Sequence, residues 1–421
     1  MSDTLRRFLQ NAKGNVAVTF VLASLPLMAA VGGAIDYFDA ANKASALQNA
    51  VDTAALAAAQ AHMDGKSASQ ISQAGQDFLS SNSAGLGLGL NSWTITGTAI
   101  DASLPIWSQF SKGGLGTAEF VMAEAEIIHK PILRFAGNWD INRRAIVRVS
   151  KGKPACVLAL DPTASAAIKV QGSTQNAFVG CVVATNSTSE SAFSRGGSAI
   201  LESECIISSG GVAGLPSPSV KTACEAPLVK QPPTPDPLRN VSPPNYTACE
   251  KVPNSNTYTL SPGASPMTFC NEKLKGEITM NPGTYILRGG SVDLGGNGKL
   301  TGNGVTIFLM EGAKFSIGAN QTVNLSPPTT GPYAGIAVYQ AKGNTNTVSF
   351  LGTAGSRVSG FIYAPDAHII YAGNNAMGTP DCLRLVGKTI ELTGNSNVGS
   401  NCTAQLGGRE MYAGRSVAMV R

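Results

Sequence analysis

The chain has 421 residues, a net charge of only +5 and 14% charged residues, against about 25% in ordinary domains. No dense Lys/Arg stripe interleaved with aromatics occurs, which argues against nucleic acid as a partner. With 47 glycines and 43% hydrophobic residues, the composition excludes a disordered chain and suits a β-rich one with many tight turns. The length calls for about two or three folded units.

Residues 1–14 carry Arg6, Arg7 and Lys13 and read as a cytoplasmic tail. Val16 to Ile35 then run for twenty residues without a charge. As a helix this is about 30 Å long, enough to cross a hydrocarbon core, so a transmembrane helix is expected over 15–35. A cleaved secretory signal is the competing reading, but its apolar region spans only about 7–15 residues, and Met28-Ala29-Ala30 is a poor cleavage site. The positive flank places everything after Asp36 outside the cytoplasm.

Asp36 to Met63 is Ala-rich and free of Pro and Gly, which predicts that the helix continues beyond the membrane, with Leu47, Val51 and Ala54 on one face. Gly65 is expected to stop it. A second helix is expected from Ser67 to Ser80, with Ile71, Ala74 and Phe78 on one face. Leu86 to Leu90 reads as a connector. Alternating segments at 93–96, 117–128 and 141–149 predict a small antiparallel sheet, closing a module over 36–150.

From residue 151 to 421 the texture changes to short β-branched or aromatic triplets separated by Gly and Asn turns. Comparing every third strand gives offsets of about 20–23 residues (286 to 306, 293 to 315, 300 to 323), the period of a parallel β-helix. A β-sandwich is the alternative, since it too needs many short strands. Ala155 to Ser209 reads as further coils. Between the two portions, a Pro-rich insertion at about 213–247 cannot be a central strand. It is expected as a loop packed along the solenoid.

Eight cysteines, Cys156, Cys181, Cys205, Cys224, Cys249, Cys270, Cys382 and Cys402, all lie beyond the apolar run. An even number on an oxidising side points to disulfides. Their spacing suggests bridging of neighbours, 156–181, 205–224, 249–270 and 382–402, although spacing alone does not fix connectivity.

Several residues invite a chemical reading. Asp161-x-Thr163-x-Ser165 has the hard oxygens of a metal-dependent adhesion site, but no helix pattern follows, and a turn between coils is the expectation. Asp366, His368 and Asp381 form the best acid/base group, yet no Arg or Lys recurs beside them in register. A solvated turn is expected there, not a lyase or glycosidase centre. Exposed Asn and Thr rows could bind a glycan or an envelope polymer without chemistry. The chain is therefore expected to be no enzyme and to use no cofactor or metal.

The order Arg6-Arg7-Phe8-Leu9, Lys13-Gly14-Asn15-Val16, the apolar run, Asp36-Tyr37 and Asp52-Thr53-Ala54-Ala55-Leu56-Ala57-Ala58-Ala59 resembles the TadE/TadG-like family of Tad (Flp) pilus assembly proteins. Cys156 to Pro162 and Asn281-Pro282-Gly283-Thr284-Tyr285 resemble the TadG branch in style. The resemblance implies a single-pass protein of the bacterial inner membrane, pilin-like, with a large periplasmic region and Tad pilus proteins as partners of its N-terminal helix. It also implies a prepilin-type cut between Gly14 and Asn15. There the family's glutamate, five residues into the mature chain, is replaced by Thr19, so an uncut anchor is expected. The fold class expected overall is α+β and membrane-anchored: a long pilin-like helix, a small antiparallel sheet, then a parallel β-helix.

Overall fold

In the computed structural model the described residues are 15–64, 66–97, 100–101, 119–131, 137–150, 152–173, 175–215, 217–246, 248–353, 355–372, 382–394, 396–399, 402 and 405–420. They form two units, one of residues 1–151 and 416–421, the other of 152–415.

In the first unit, helix α1 (Asn15–Met63) runs for 49 residues with Pro26 inside it. Its two halves differ in what surrounds them. Up to Phe38 the large apolar side chains are exposed, Phe20 at 73% and Met28 at 71%. From Ala40 onward, Ala44, Leu47, Val51, Ala54, Ala55 and Ala58 are buried. Small side chains on that face let the backbone of α2 (Ala68–Gly85) come close: a Cβ added to Gly75 would sit 3.1 Å from the Ala54 carbonyl oxygen. Ser67 caps α2 and exchanges hydrogen bonds with Gln70, the reciprocal pattern of a capping box. The buried face of α2 is Ile71, Gly75, Leu79 and Ser83, one residue round from the expected one, and Phe78 is exposed. The helix also runs to Gly85, its buried face carried on through Leu79 and Ser83. The expected stop at Gly65 lies outside the described residues.

Strands β1 (Leu90–Ile95), β2 (Ile100–Asp101), β3 (Glu119–His129) and β4 (Trp139–Ser150) make the expected antiparallel sheet, with β1 and β2 on β3, and β3 on β4 from Glu119↔Val149 to His129↔Trp139. Leu90 already belongs to β1, so the connector is shorter than expected. The sheet does not end at residue 150. Ser416–Val420 returns to pair with β4, Ser416↔Ser150 through Val420↔Ile146. The expected boundary of 151–421 is therefore corrected: Val417 and Met419 alternate onto the first unit's core, and the β-solenoid unit closes at Arg415.

The second unit is a parallel β-solenoid of about ten turns, and the sandwich alternative falls. Each coil contributes strands to three faces. The first face stacks Thr257–Leu260, Glu277–Met280, Lys299–Asn303, Thr322–Ser326 and Arg357–Val358. Its observed registers put Leu300 on Val323, as expected, but Ile286 on Phe308 and Val292 on Phe315 elsewhere in the coil. The earlier offsets at 286 and 293 were therefore two and one residues out. Correct alternation seats Leu300, Ile307, Phe315 and Val323 in one continuous interior.

The coils do not stack in chain order. Leu383–Thr393 pairs on one side with Gly360–Ala372 and on the other with Lys153–Ala159 and Ile168–Val170. The early coils, up to Val220–Thr222, thus extend the stack beyond the late ones. After its first coils the chain must run back along the whole stack before starting at Thr257.

The Pro-rich segment makes that return, and it packs as expected. One solenoid face carries an outward apolar row, Ile286, Phe308, Tyr339, Tyr363, Val386, Leu158 and onward, each paired with the next. Leu238 and Val241 lie against it. Polar ties follow in order: Asn186 with Thr234, Tyr363 with Asp236, Tyr339 with Val241, then Arg288 over the Tyr246 ring at 4.1 Å. From the Asn186 coil to the Arg288 coil is six strand spacings, about 29 Å. Residues 234–246 reach that easily as polyproline, at about 3.1 Å each. A proline has no N–H to satisfy, so a segment with no strand partner is well made from it. Cys205–Cys224 and Cys249–Cys270 fix the two ends of this strap, with Cα separations of 5.4 and 5.5 Å. Cys156–Cys181 and Cys382–Cys402 complete the four bridges.

Candidate functional site

The exposed apolar half of α1 is the feature the rest of the first unit positions. Its large side chains project on all sides, as required of a helix solvated by lipid and not by a core. At its polar end Asp36 is buried, and Asp39 accepts from Lys43 at 2.7 Å. The buried His129 places Nδ1 3.6 Å from the Asp39 carboxylate, and its ring lies 5.2 Å from that of Trp139. The last residue of β3 and the first of β4 therefore meet α1 where the apolar run ends.

Of the expected processing pair, Asn15 is the first residue of α1, while Gly14 lies outside the described residues. Thr19 is an exposed residue within the helix.

In the second unit, the Asp161 carboxylate accepts from the N–H of Thr163 at 2.8 Å and of Ala164 at 2.7 Å, and Lys388 lies 3.9 Å from its other oxygen. These bonds tie the carboxylate into its own turn. Asp366 accepts from the Gly343 N–H at 2.7 Å, whereas His368 bonds Thr389 Oγ1 at 2.7 Å through Nδ1. The two are thus engaged separately; Asp381 lies outside the described residues.

His368 belongs to a group the sequence does not announce. Its Nε2 is 3.9 Å from Glu391, whose carboxylate also meets Lys169 at 3.9 Å and accepts from Gln171. Three coils meet here, and Lys169 and Gln171 reach Glu391 only because the early coils stack on the late ones. Burial lowers the His368 pKa, with Glu391 opposing that shift and Lys169 adding to it. Nearby, fully buried Arg384 donates to the Leu383 carbonyl at 3.1 Å and lies 3.3 Å from Cys156 Sγ. Among the described residues no His, Cys, Asp and Glu cluster has a metal-binding arrangement.

Residues 14–61 match the family described as putative Flp pilus-assembly TadE/G-like. The matched span coincides with α1, both its exposed apolar half and its buried Ala-rich half. It does not reach the solenoid. No curated protein and no solved structure matches the chain. The TadE/G-like segment and the four disulfides together point to a membrane-anchored chain whose disulfide-bearing unit lies outside the cytoplasm.

Proposed function

We propose that this chain is an inner-membrane component of a bacterial Tad (Flp) pilus system, of the TadG branch, acting in pilus biogenesis, adhesion or secretion. The observation that carries the reading is the coincidence of the TadE/G-like match with a helix exposed and apolar at one end and packed at the other. In this role α1 anchors the chain and engages the helices of other Tad proteins, while the solenoid stands in the periplasm. The absence of a family glutamate at Thr19 supports an anchor that stays uncut. In this reading the role is structural and not catalytic; the Asp161 carboxylate is held by its own turn and that of Asp366 by the Gly343 N–H of a neighbouring coil.

Deleting the gene in a pilus-forming host should reduce or abolish surface pili in electron micrographs, with recovery on complementation. Unchanged piliation and attachment would overturn the reading.

A further inference from the structure

The three outer faces of the solenoid are not alike. One is apolar and lies under the Pro-rich strap. The face built on Thr257–Leu260 through Arg357–Val358 is polar and carries two outward rows: Thr257, Glu277, Lys299 and Thr322 in one, with two charges, and hydroxyls and an amide in the other, which ends on Arg357. Thr259, Thr279, Thr301 and Asn324 form this other row across successive coils. At the corner beyond them runs a third row, in which Asn281 donates to Ser261 at 2.7 Å and Ser326 donates to Asn303 at 2.5 Å. Each amide makes one of these bonds and keeps further donor or acceptor capacity.

Immediately past this corner lies a groove of about 320 Å³. Four successive turns line it, so it runs along the stack. Its floor is low because Gly283 and Gly304 turn two coils with positive φ, where a side chain would be strained. Longer turns wall it at each end, one carrying Ser265 and Pro266, the other Thr330 and Tyr333. None of its lining residues is charged.

We infer that this corner and groove bind a neutral polysaccharide chain lying along the solenoid. The inference goes beyond the pilus role and stands without it. Three features select the ligand. The polar rungs recur at the strand spacing, about 4.8 Å, which suits a polymer that offers hydroxyls at a similar interval. The groove offers the hydroxyls of Ser265, Thr284 and Thr330 with one tyrosine ring, and the corner adds the amides of Asn281 and Asn303, a pairing that takes the polar edge and the C–H face of a sugar. The absence of charge in the groove gives an acidic polymer no counter-ion. A protein partner would need a broad apolar centre to bury, whereas the apolar side chains here are confined to Ala264, three prolines and Tyr333 in the groove. Each rung contributes weakly, and a polymer engages several at once.

The test uses the full chain in detergent micelles on an array of neutral and acidic oligosaccharides, followed by titration calorimetry with whichever neutral hexasaccharide binds. Binding should be confined to neutral glycans. It should weaken at least tenfold in Thr330→Lys, which puts a cation on an exposed wall, and in the double variant Asn281→Ala with Asn303→Ala. Glu202→Gln, on another sheet of the solenoid, should bind as the parent does. Thermal unfolding of each variant checks that the solenoid remains folded. A blank array, binding of acidic glycans only, or neutral binding that survives both groove variants overturns the inference.

Discussion

The Tyr363 hydroxyl donates to Asp236 Oδ2 at 2.8 Å, joining residues 127 apart in sequence. Tyr363 sits in the outward row of a solenoid strand, stacked at 4.8 Å on Tyr339, whose own hydroxyl donates to the Val241 carbonyl at 3.0 Å. Two neighbouring coils therefore hold the strap through phenols that keep an apolar ring on the row and a polar tip on the returning chain. Burial and the nearby Asp236 carboxylate push the Tyr363 pKa far up, so it remains a donor throughout the physiological range.

Tyr363→Phe keeps the ring and removes the bond, leaving a partly buried carboxylate without this donor. The expected cost is about 1–3 kcal/mol. It should be read as a lower urea midpoint for the solenoid and as faster proteolysis within residues 225–248. Tyr339→Phe loses a bond to a backbone carbonyl and should cost less, about 0.5–1.5 kcal/mol. Equal midpoints for parent and Tyr363→Phe would show that the Tyr363–Asp236 bond contributes nothing to holding the strap.

The disulfides at the two strap ends make a separable prediction. Cys224→Ser with Cys205→Ser releases the end at the early coils, and Cys249→Ser with Cys270→Ser releases the other. Each pair should lower stability by about 2–5 kcal/mol and open the strap to protease from the released end. Reductant should reproduce both effects in the parent. Mass spectrometry of the limited digest identifies the end that frees first.

Local features of the fold were legible in sequence, and stacking order was not. The Ala-rich pattern around Leu47 and Val51 fixes a buried helix face, and the spacing of the cysteines anticipated all four bridges. Three strands per coil follow from turn spacing, because a turn is chosen by neighbours. Pairing between Glu391 and Lys169 spans more than half the chain and depends on which coil edges meet, for which a coil's alternation carries no signal. For the same reason the His368, Glu391, Lys169 and Gln171 group was missed. The returning strand at Ser416–Val420 did carry a signal, the alternation of Val417 and Met419, but one too short to tell from another coil.

The half-buried His368 imidazole gives the solenoid a pH dependence whose sign is fixed. Burial lowers the His368 pKa below its ordinary value near 6.5, against the pull of Glu391. Between the folded value and about 6.5, the unfolded chain takes up a proton that the folded chain refuses. This contribution is fully present above pH 6.5 and is lost progressively as pH falls toward the folded value. His368→Gln should flatten that part of the stability profile, measured by urea unfolding at pH steps from 5 to 7.5. A steeper slope in the variant, or stability in the parent that rises on acidification through this window, contradicts the assignment.

The exposed half of α1 predicts how the chain sits in a membrane. Met28 lies inside the apolar run, with Phe20 on one side and Ile35 on the other, all exposed. Arginine near the centre of a span costs about 2.5–3.5 kcal/mol on an insertion scale, while the same change on a soluble helix surface is nearly neutral. Met28→Arg should therefore shift the chain from the carbonate-resistant membrane fraction toward the soluble fraction. Gln73→Arg, on the α2 surface, should leave the distribution as it is in the parent. The solenoid provides the internal control, since its disulfides and strap lie in a separate unit and should give the same protease pattern in both variants. Equal carbonate resistance of parent and Met28→Arg would mean that the apolar run is held by protein and not by lipid. The exposed side chains of α1 would then have to be covered by the helices of partner subunits.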